Sequence, residues 1–356
     1  MRASLSSLAG KRVLITGDTG FKGSWLALWL TELGAEVTGF ALAPEGDRPL
    51  FDLLGLRQYI RHVDGDIRDL DQLARVFDDT QPEVVLHLAA QALVRLSYAE
   101  PKRTMDTNIG GSVNLLECVR ACPSVRSVVY ITSDKCYENK EWVWGYRETD
   151  ELGGRDPYSA SKAAAELVFS AYCSSFFDAR PELGIASARA GNVIGGGDWA
   201  LDRIIPDCIR ALEAGRPVPV RNPSATRPWQ HVLEPLSGYL TLAARLLEQP
   251  KRFGGSWNFG PPVGSARNVG DLVKDSVGYW GEGSFEITPE ANAPHEARLL
   301  QLNTDRAAID LNWRSRWNVD QTIERTIGWY RQVVREGASP RAVCQSQIVE
   351  YMEAQR

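Results

Sequence analysis

The chain is short of the residues that most often bind metals or titrate near neutrality. Its 356 residues include four histidines and three methionines. The six cysteines, at positions 118, 122, 136, 173, 208 and 344, are scattered. Cys118 and Cys122 lie four apart on an expected helix, but no second Cys/His pair completes a zinc pattern. The thiols therefore read as buried and free in a reducing compartment, and no metal site is expected. Long apolar runs are lacking as well: none reaches the roughly 20 residues of a membrane span. The segment Met1–Gly10 is too short and too weakly apolar for a signal peptide. Neither sign of charge dominates. Forty Lys and Arg against 45 Asp and Glu leave −5, which argues for neither nucleic acid nor an anionic membrane as partner. Repeats, low-complexity tracts and long charge blocks are missing too, which removes solenoids and disordered tails from consideration. What remains is a soluble protein, expected in the cytoplasm, that handles small molecules.

The length exceeds that of a usual single domain, and the 44% hydrophobic content is ordinary for a globular chain. Short apolar runs at 12–16, 36–40, 59–63, 83–88, 127–132 and 185–189 read as strands. Helical stretches near 23–33, 69–79 and 106–121 separate them. That alternation predicts an α/β fold, a Rossmann-type doubly wound parallel sheet. After about residue 190, turn signals such as Gly195-Gly196-Gly197 and Arg216-Pro217-Val218-Pro219 change the texture. Residues 1–190 are expected to form a cofactor-binding domain. Residues 191–356 are expected to form mainly a smaller α/β substrate domain, with helices near 232–248 and 319–336. The first of these is expected to pack back on the cofactor domain.

Directly after the first strand stands Thr16-Gly17-Asp18-Thr19-Gly20-Phe21-Lys22-Gly23. Three glycines between a strand and a helix allow a tight turn, close approach of backbone to a pyrophosphate, and close helix–strand packing. The helix N-terminus adds free N–H groups and the positive end of its dipole. The motif predicts a dinucleotide over Gly17, Thr19, Gly20, Phe21, Lys22 and Gly23. Asp66 and Ile67 are expected at the adenine edge, and the small residues of Leu88-Ala89-Ala90 beside ribose or pyrophosphate. The end of the second strand, Phe40-Ala41-Leu42-Ala43-Pro44, lacks the acid that usually grips a ribose 2′-OH, though Asp47 and Arg48 follow soon after. NAD is preferred to NADP.

Farther on, Pro157-Tyr158-Ser159-Ala160-Ser161-Lys162 opens a helix, with Tyr158 and Lys162 one turn apart on the same face. A lysine ammonium beside the phenol, with the positive nicotinamide nearby, should favour the phenolate and make Tyr158 a base near neutral pH. A strand ends in Thr132-Ser133, and Asp134-Lys135-Cys136-Tyr137 follow, supplying a second acid and base.

The glycine loop, the Thr-Ser strand end and the Tyr-x-x-x-Lys helix together resemble the extended short-chain dehydrogenase/reductase family, over residues 10 to 335. Within it the chain is similar to the sugar-nucleotide 4,6-dehydratases, those that act on CDP-glucose in particular. Four separated stretches carry the likeness: Ser133–Tyr137, Trp142–Glu148, Ala190–Trp199 and Arg227–Val232. The resemblance implies that Tyr158 takes a proton from the sugar 4-OH while C4 gives hydride to NAD. Ser133 and Lys162 complete that set. Asp134 then protonates the departing 6-OH, Lys135 stands where related enzymes keep a glutamate as C5 base, and hydride returns to C6. A lysine base must first be neutral, which burial or neighbouring cations such as Lys162 would favour.

Substrate diphosphate, base and sugar are expected to meet Arg189, Asn192, Trp199, Arg221, Arg227 and His231. Taken alone, His231 and His295 read as hydrogen-bonding structural histidines, since no acid and nucleophile stand nearby at triad spacing. The resemblance further implies a homodimer or homotetramer paired through the helices near 106–121 and 158–177, and a place in 6-deoxy-sugar and surface-polysaccharide synthesis. Other readings remain open: a dehydratase for dTDP- or GDP-sugars, a UDP-sugar 4-epimerase, and a non-catalytic NAD-binding regulator.

Overall fold

Runs of Val, Leu and Ile with few polar interruptions form strands that can be buried on both faces. Such runs, together with three less apolar segments at 61–64, 184–190 and 255–259, make one parallel sheet: Arg12–Thr16 (β1), Glu36–Ala41 (β2), Arg61–Asp64 (β3), Val84–His87 (β4), Ser127–Ile131 (β5), Gly184–Ala190 (β6) and Gly255–Phe259 (β7). The order across the sheet is β7-β6-β5-β4-β1-β2-β3. The computed structural model describes residues 2–262, 264–288 and 299–354. His295 lies outside them.

The sheet divides its side chains with period two. Val13, Ile15, Val84, Leu86, Val129 and Ile131 face one core, while Leu14, Val85, Val128 and Tyr130 face the other. On the second face lie Leu70–Thr80 (α2), Gly111–Ala121 (α3) and Pro157–Tyr172 (α4), through Phe77, Leu116 and Phe169 among others. The first face is covered by Phe21–Glu32 (α1), and farther along the chain by Leu233–Glu248 (α6), which follows Ile204–Glu213 (α5). Val269–Trp280 (α7) and Val319–Tyr330 (α8) complete the C-terminal half, and Pro340–Glu353 (α9) closes the chain. α9 packs on α1, with Tyr351 edge-on to Trp29 at 5.8 Å.

The helix expected near 232–248 does lie against the sheet: its Leu240 and Leu246 are fully buried in the same core as Val129 and Ala186. β7, which lies beyond residue 190, pairs with β6 as the seventh strand. No helix among the described residues is long and apolar enough to cross a membrane.

One buried carboxylate ties these late elements together. Glu234, in the first turn of α6, accepts hydrogen bonds from the backbone N–H groups of Arg316 (3.0 Å) and Trp317 (2.8 Å) and from the Tyr351 hydroxyl (2.6 Å). Burial raises its pKa from 4.5 to about 7, against the pull of those bonds. A carboxyl that holds its proton more tightly folded than unfolded stabilises the fold below about 4.5 and loses that contribution as the pH rises through about 7. Glu234→Gln cannot titrate, so its melting temperature should gain on that of the native chain as pH rises across this window. A constant difference between the two would contradict the account.

Candidate active site

The carboxyl ends of β1, β4, β5 and β6 open on one cleft of about 2330 Å³, at the edge where open parallel sheets bind ligands. The glycine loop forms its floor. Gly17 has φ +82°, and a Cβ there would come within 2.7 Å of the Ala89 backbone nitrogen. A Cβ on Gly23 would lie 2.0 Å from the Gly17 carbonyl oxygen, so loop and helix touch backbone to backbone. This is a cradle that side chains would fill, and it fits a dinucleotide pyrophosphate. Thr19, Gly20, Phe21 and Lys22 line it, with Asp66, Ile67, Leu88, Ala89 and Ala90 farther along the same wall. The Asp66 carboxylate is paired with Arg68 at 3.0 Å, and that hydrogen bond lowers its pKa.

Beneath the end of β2, which lacks the ribose-binding acid, lies a different, buried carboxylate. Asp18, inside the glycine loop, is fully buried under Gly39, where a Cβ would sit 2.0 Å from Asp18 Oδ2. That same oxygen lies 2.6 Å from His62 Nδ1, and the other histidine nitrogen lies 3.0 Å from Asp64. The Thr19 hydroxyl donates to the Leu42 carbonyl at 2.9 Å. Loop, β2 and β3 are thereby bonded to one another beneath the cradle.

Opposite stands the Tyr/Lys helix. Pro157 begins α4, and the Asp156 side chain caps it by accepting from the Ser159 N–H at 2.9 Å. Tyr158 and Lys162, both buried, line the cleft one turn apart. Ser133 donates to Asp134 Oδ1 at 2.9 Å, accepts from the Lys135 N–H at 3.2 Å and acts on the Tyr158 phenol, favouring its charged form. The acid and base after β5 therefore share a single-turn helix, Asp134–Cys136, that packs against the Tyr/Lys helix. Burial raises the pKa of Asp134, while Lys135, Ser133 and Lys22 pull it down. The net shift favours the protonated form that a proton donor needs.

Burial also pushes Tyr158 up to about 12, with Ser133 acting in the other direction, and lowers Lys162 to about 8. Against the phenolate that the lysine and a positive nicotinamide would favour, burial among the chain's own groups works the other way. Lys22 is lowered to about 8 by burial and by Arg203, with Lys162 adding to the effect and Asp134 and Asp198 opposing it.

Of the residues expected at the sugar nucleotide, Asn192, Trp199, Arg221 and Arg227 line the outer part of the cleft. Arg210 anchors the chain at Trp199 by donating to its carbonyl at 3.0 Å, and the indole lies beneath the Arg48 guanidinium at 3.6 Å. Two expected residues lie elsewhere. Arg189 is 3% exposed and spends its guanidinium on Glu166 (2.7 Å), the Tyr137 hydroxyl (2.7 Å), the Glu148 carbonyl (3.1 Å) and Ser256 (3.0 Å). It is an interior ion-pair partner, not a phosphate ligand. His231 is fully buried between Trp25 and Trp317, accepts from the Leu233 N–H at 3.3 Å, and is lowered to about 3 by burial. It is a neutral packing residue. Arg203 joins the site without any warning from the sequence. It lines the cleft, pairs with Asp198 at 2.7 Å and acts electrostatically on Tyr158. A lone arginine ahead of a helix carries no signal of that.

Residues 14–326 match the family model for GDP-mannose 4,6 dehydratase. The chain belongs to that dehydratase family. Among curated relatives, the CDP-glucose 4,6-dehydratase of Salmonella typhimurium is 48% identical over 97% of both chains. The dTDP-glucose 4,6-dehydratase of Xanthomonas campestris is 26% identical over 89% of this chain and 92% of its own. The crystal structure of dTDP-glucose 4,6-dehydratase from Streptomyces venezuelae with NAD bound superposes with a TM-score of 0.78 at 25% identity, covering 93% of this chain and 99% of that one. UDP-glucose 4-epimerase from Thermus thermophilus, at 24% identity and a TM-score of 0.76, shares the fold. The parallel sheet and its flanking helices are thus the family's fold, and the chain is an enzyme of the sugar-nucleotide 4,6-dehydratase kind.

Proposed function

We propose that the protein converts CDP-glucose to CDP-4-keto-6-deoxyglucose, with NAD as a retained cofactor held by Gly17, Thr19–Gly23, Asp66, Ile67, Leu88–Ala90, Tyr158 and Lys162. The observation that carries this reading is the packing of the turn bearing Asp134 and Lys135 against the Tyr158-Lys162 helix within one cleft, since oxidation or epimerisation at C4 needs only the Tyr/Lys pair. The relative acting on CDP-glucose supports the choice of nucleotide. When bound, oxidised NAD supplies a hydride acceptor for C4, a positive ring charge, and the same hydride again for C6.

Tyr158 Oη takes the proton of the sugar 4-OH, and Ser133, which favours the charged phenol, steadies its oxygen. The 4-ketone so formed acidifies the proton on C5. Lys135 Nζ in its neutral form removes that proton and gives one back to C5 when hydride reaches C6, and the protonated Asp134 carboxyl delivers its own to the departing 6-OH, releasing water. Asn192, Trp199, Arg221 and Arg227 hold the nucleotide in the outer cleft. Residues 1–190 thus serve mainly the cofactor and the rest of the chain mainly the sugar nucleotide. All six cysteines are unpaired thiols, which suits a cytoplasmic enzyme. Leu167 on α4 and Phe176 just beyond it are exposed apolar residues, which suits pairing of copies as a homodimer or homotetramer.

The test is incubation with CDP-glucose, dTDP-glucose, UDP-glucose and GDP-mannose in parallel. A 4-keto-6-deoxy product, formed fastest from CDP-glucose, is expected. A 4-epimer as product would replace this reading.

A further inference from the structure

Behind the Tyr/Lys pair, α4 carries a third polar residue on the same face. Glu166 stands one turn past Lys162 and is 2% exposed. Its two oxygens reach in different directions. Thr132, the residue that leads from β5 into Ser133-Asp134-Lys135, donates its hydroxyl to Glu166 Oε1 at 2.5 Å. Arg189 and Ser187 of β6 donate to Oε2 at 2.7 and 2.9 Å. Arg189 in turn donates to the hydroxyl of Tyr137, just past the Asp134–Cys136 turn, and that hydroxyl donates to Asn258 Oδ1 of β7 at 2.8 Å. The turn that bears the second acid and base is therefore held at both ends by one buried ion pair, and that pair is rooted in the helix bearing Tyr158 and Lys162.

We propose that Glu166 is a positioning residue for the dehydration. Through Thr132 and Arg189 it fixes the Asp134-Lys135 turn relative to the Tyr158-Lys162 helix, and its carboxylate is the counter-charge that keeps Lys162 an ammonium. The inference rests on the dehydratase reading. The groups facing Lys162 are Tyr158 and Glu166 on its own helix, Cys136 from the turn, His87 at the end of β4 and Lys22 in the first turn of α1. Of these, Glu166 gives the largest pull toward the charged form. Glu166 itself is faced by Arg189, Ser187, Thr132 and Ser256, and by the Tyr130 phenol and Cys136 thiol. Burial drives Lys162 down to about 8, and Glu166, the larger of the two groups that oppose it, favours the ammonium.

Glu166→Gln keeps the shape and removes the charge. With CDP-glucose as substrate, its KM should stay near the native value. Its kcat should fall earlier as pH rises, the alkaline limb moving down by roughly one unit, which is about a tenfold loss on that limb. Glu166→Asp should restore the limb, and Thr132→Val, which keeps both charges, should lower kcat at every pH without moving it. Glu166→Gln alone leaves Arg189 buried without its partner and can cost the fold. The pair Glu166→Gln with Arg189→Met removes both charges together and should show the same shift. An alkaline limb unchanged in both charge-removing variants overturns the inference while leaving the dehydratase reading intact. A native chain that yields no 4-keto-6-deoxy sugar overturns that reading instead.

Discussion

Tyr158→Phe should lose about 10²–10⁴-fold in turnover, the usual worth of a positioned acid or base, while the protein still binds NAD. The loss falls on the first proton transfer, because the phenol oxygen is the proton acceptor that α4 presents to the cleft. Removing it leaves the glycine-loop cradle, Asp66 and the Leu88–Ala90 wall in place. Binding and turnover should therefore separate. Rapid quenching should find no 4-keto sugar on the enzyme, and no absorbance of reduced nicotinamide should develop on mixing with substrate. Turnover near the native rate would remove Tyr158 from the chemistry.

The opposite pattern is expected one step later. Lys135→Met and Asp134→Asn leave the Tyr158-Lys162 pair untouched, so oxidation at C4 should proceed and then stall. Absorbance of reduced nicotinamide should rise on adding CDP-glucose and persist, with release of the 6-deoxy product lowered about 10²–10⁴-fold. Asn cannot deliver a proton to the 6-OH, and Met cannot accept one from C5. Asp134 is 4% exposed, and burial raises its pKa, the direction a proton donor needs. If Lys135→Met turned over normally, or if neither variant accumulated the reduced cofactor, these residues would not serve elimination. An enzyme acting at C4 alone would then be the better account.

Much of this site is legible in the amino-acid sequence. The Val/Leu/Ile runs from β1 to β6 mark buried parallel strands, and glycines placed between a strand and a helix mark a phosphate cradle. Tyr158 and Lys162 stand out by helical spacing after a proline. These signals are local, and local chemistry is what a sequence displays.

The misses share one cause, which is contact between distant positions. Arg189 reads as a phosphate ligand because its partner Glu166 lies 23 residues earlier and only the fold joins them. His231 reads as structural from its own neighbours and as a site residue only among the substrate candidates, and only the fold sets Trp25 and Trp317 around it. β7 is hidden, since Gly255, Ser256 and Asn258 break its apolar pattern. Asn258 can be buried there only because its amide donates to the Tyr146 carbonyl at 2.8 Å and its oxygen accepts from Tyr137. The burial of Tyr158, which pushes its pKa up, is likewise invisible to spacing.

The central claim is that two proton-handling pairs serve one closed sequence of oxidation, elimination and reduction. It is tested most directly by following a single hydrogen. CDP-glucose carrying deuterium at C4 should yield a 4-keto-6-deoxy sugar with that deuterium in its C6 methyl group. When labelled and unlabelled substrate molecules are mixed, the label should stay within the molecule that brought it, and no added cofactor should be consumed. A methyl group without deuterium, or label scattered among product molecules, would contradict the account.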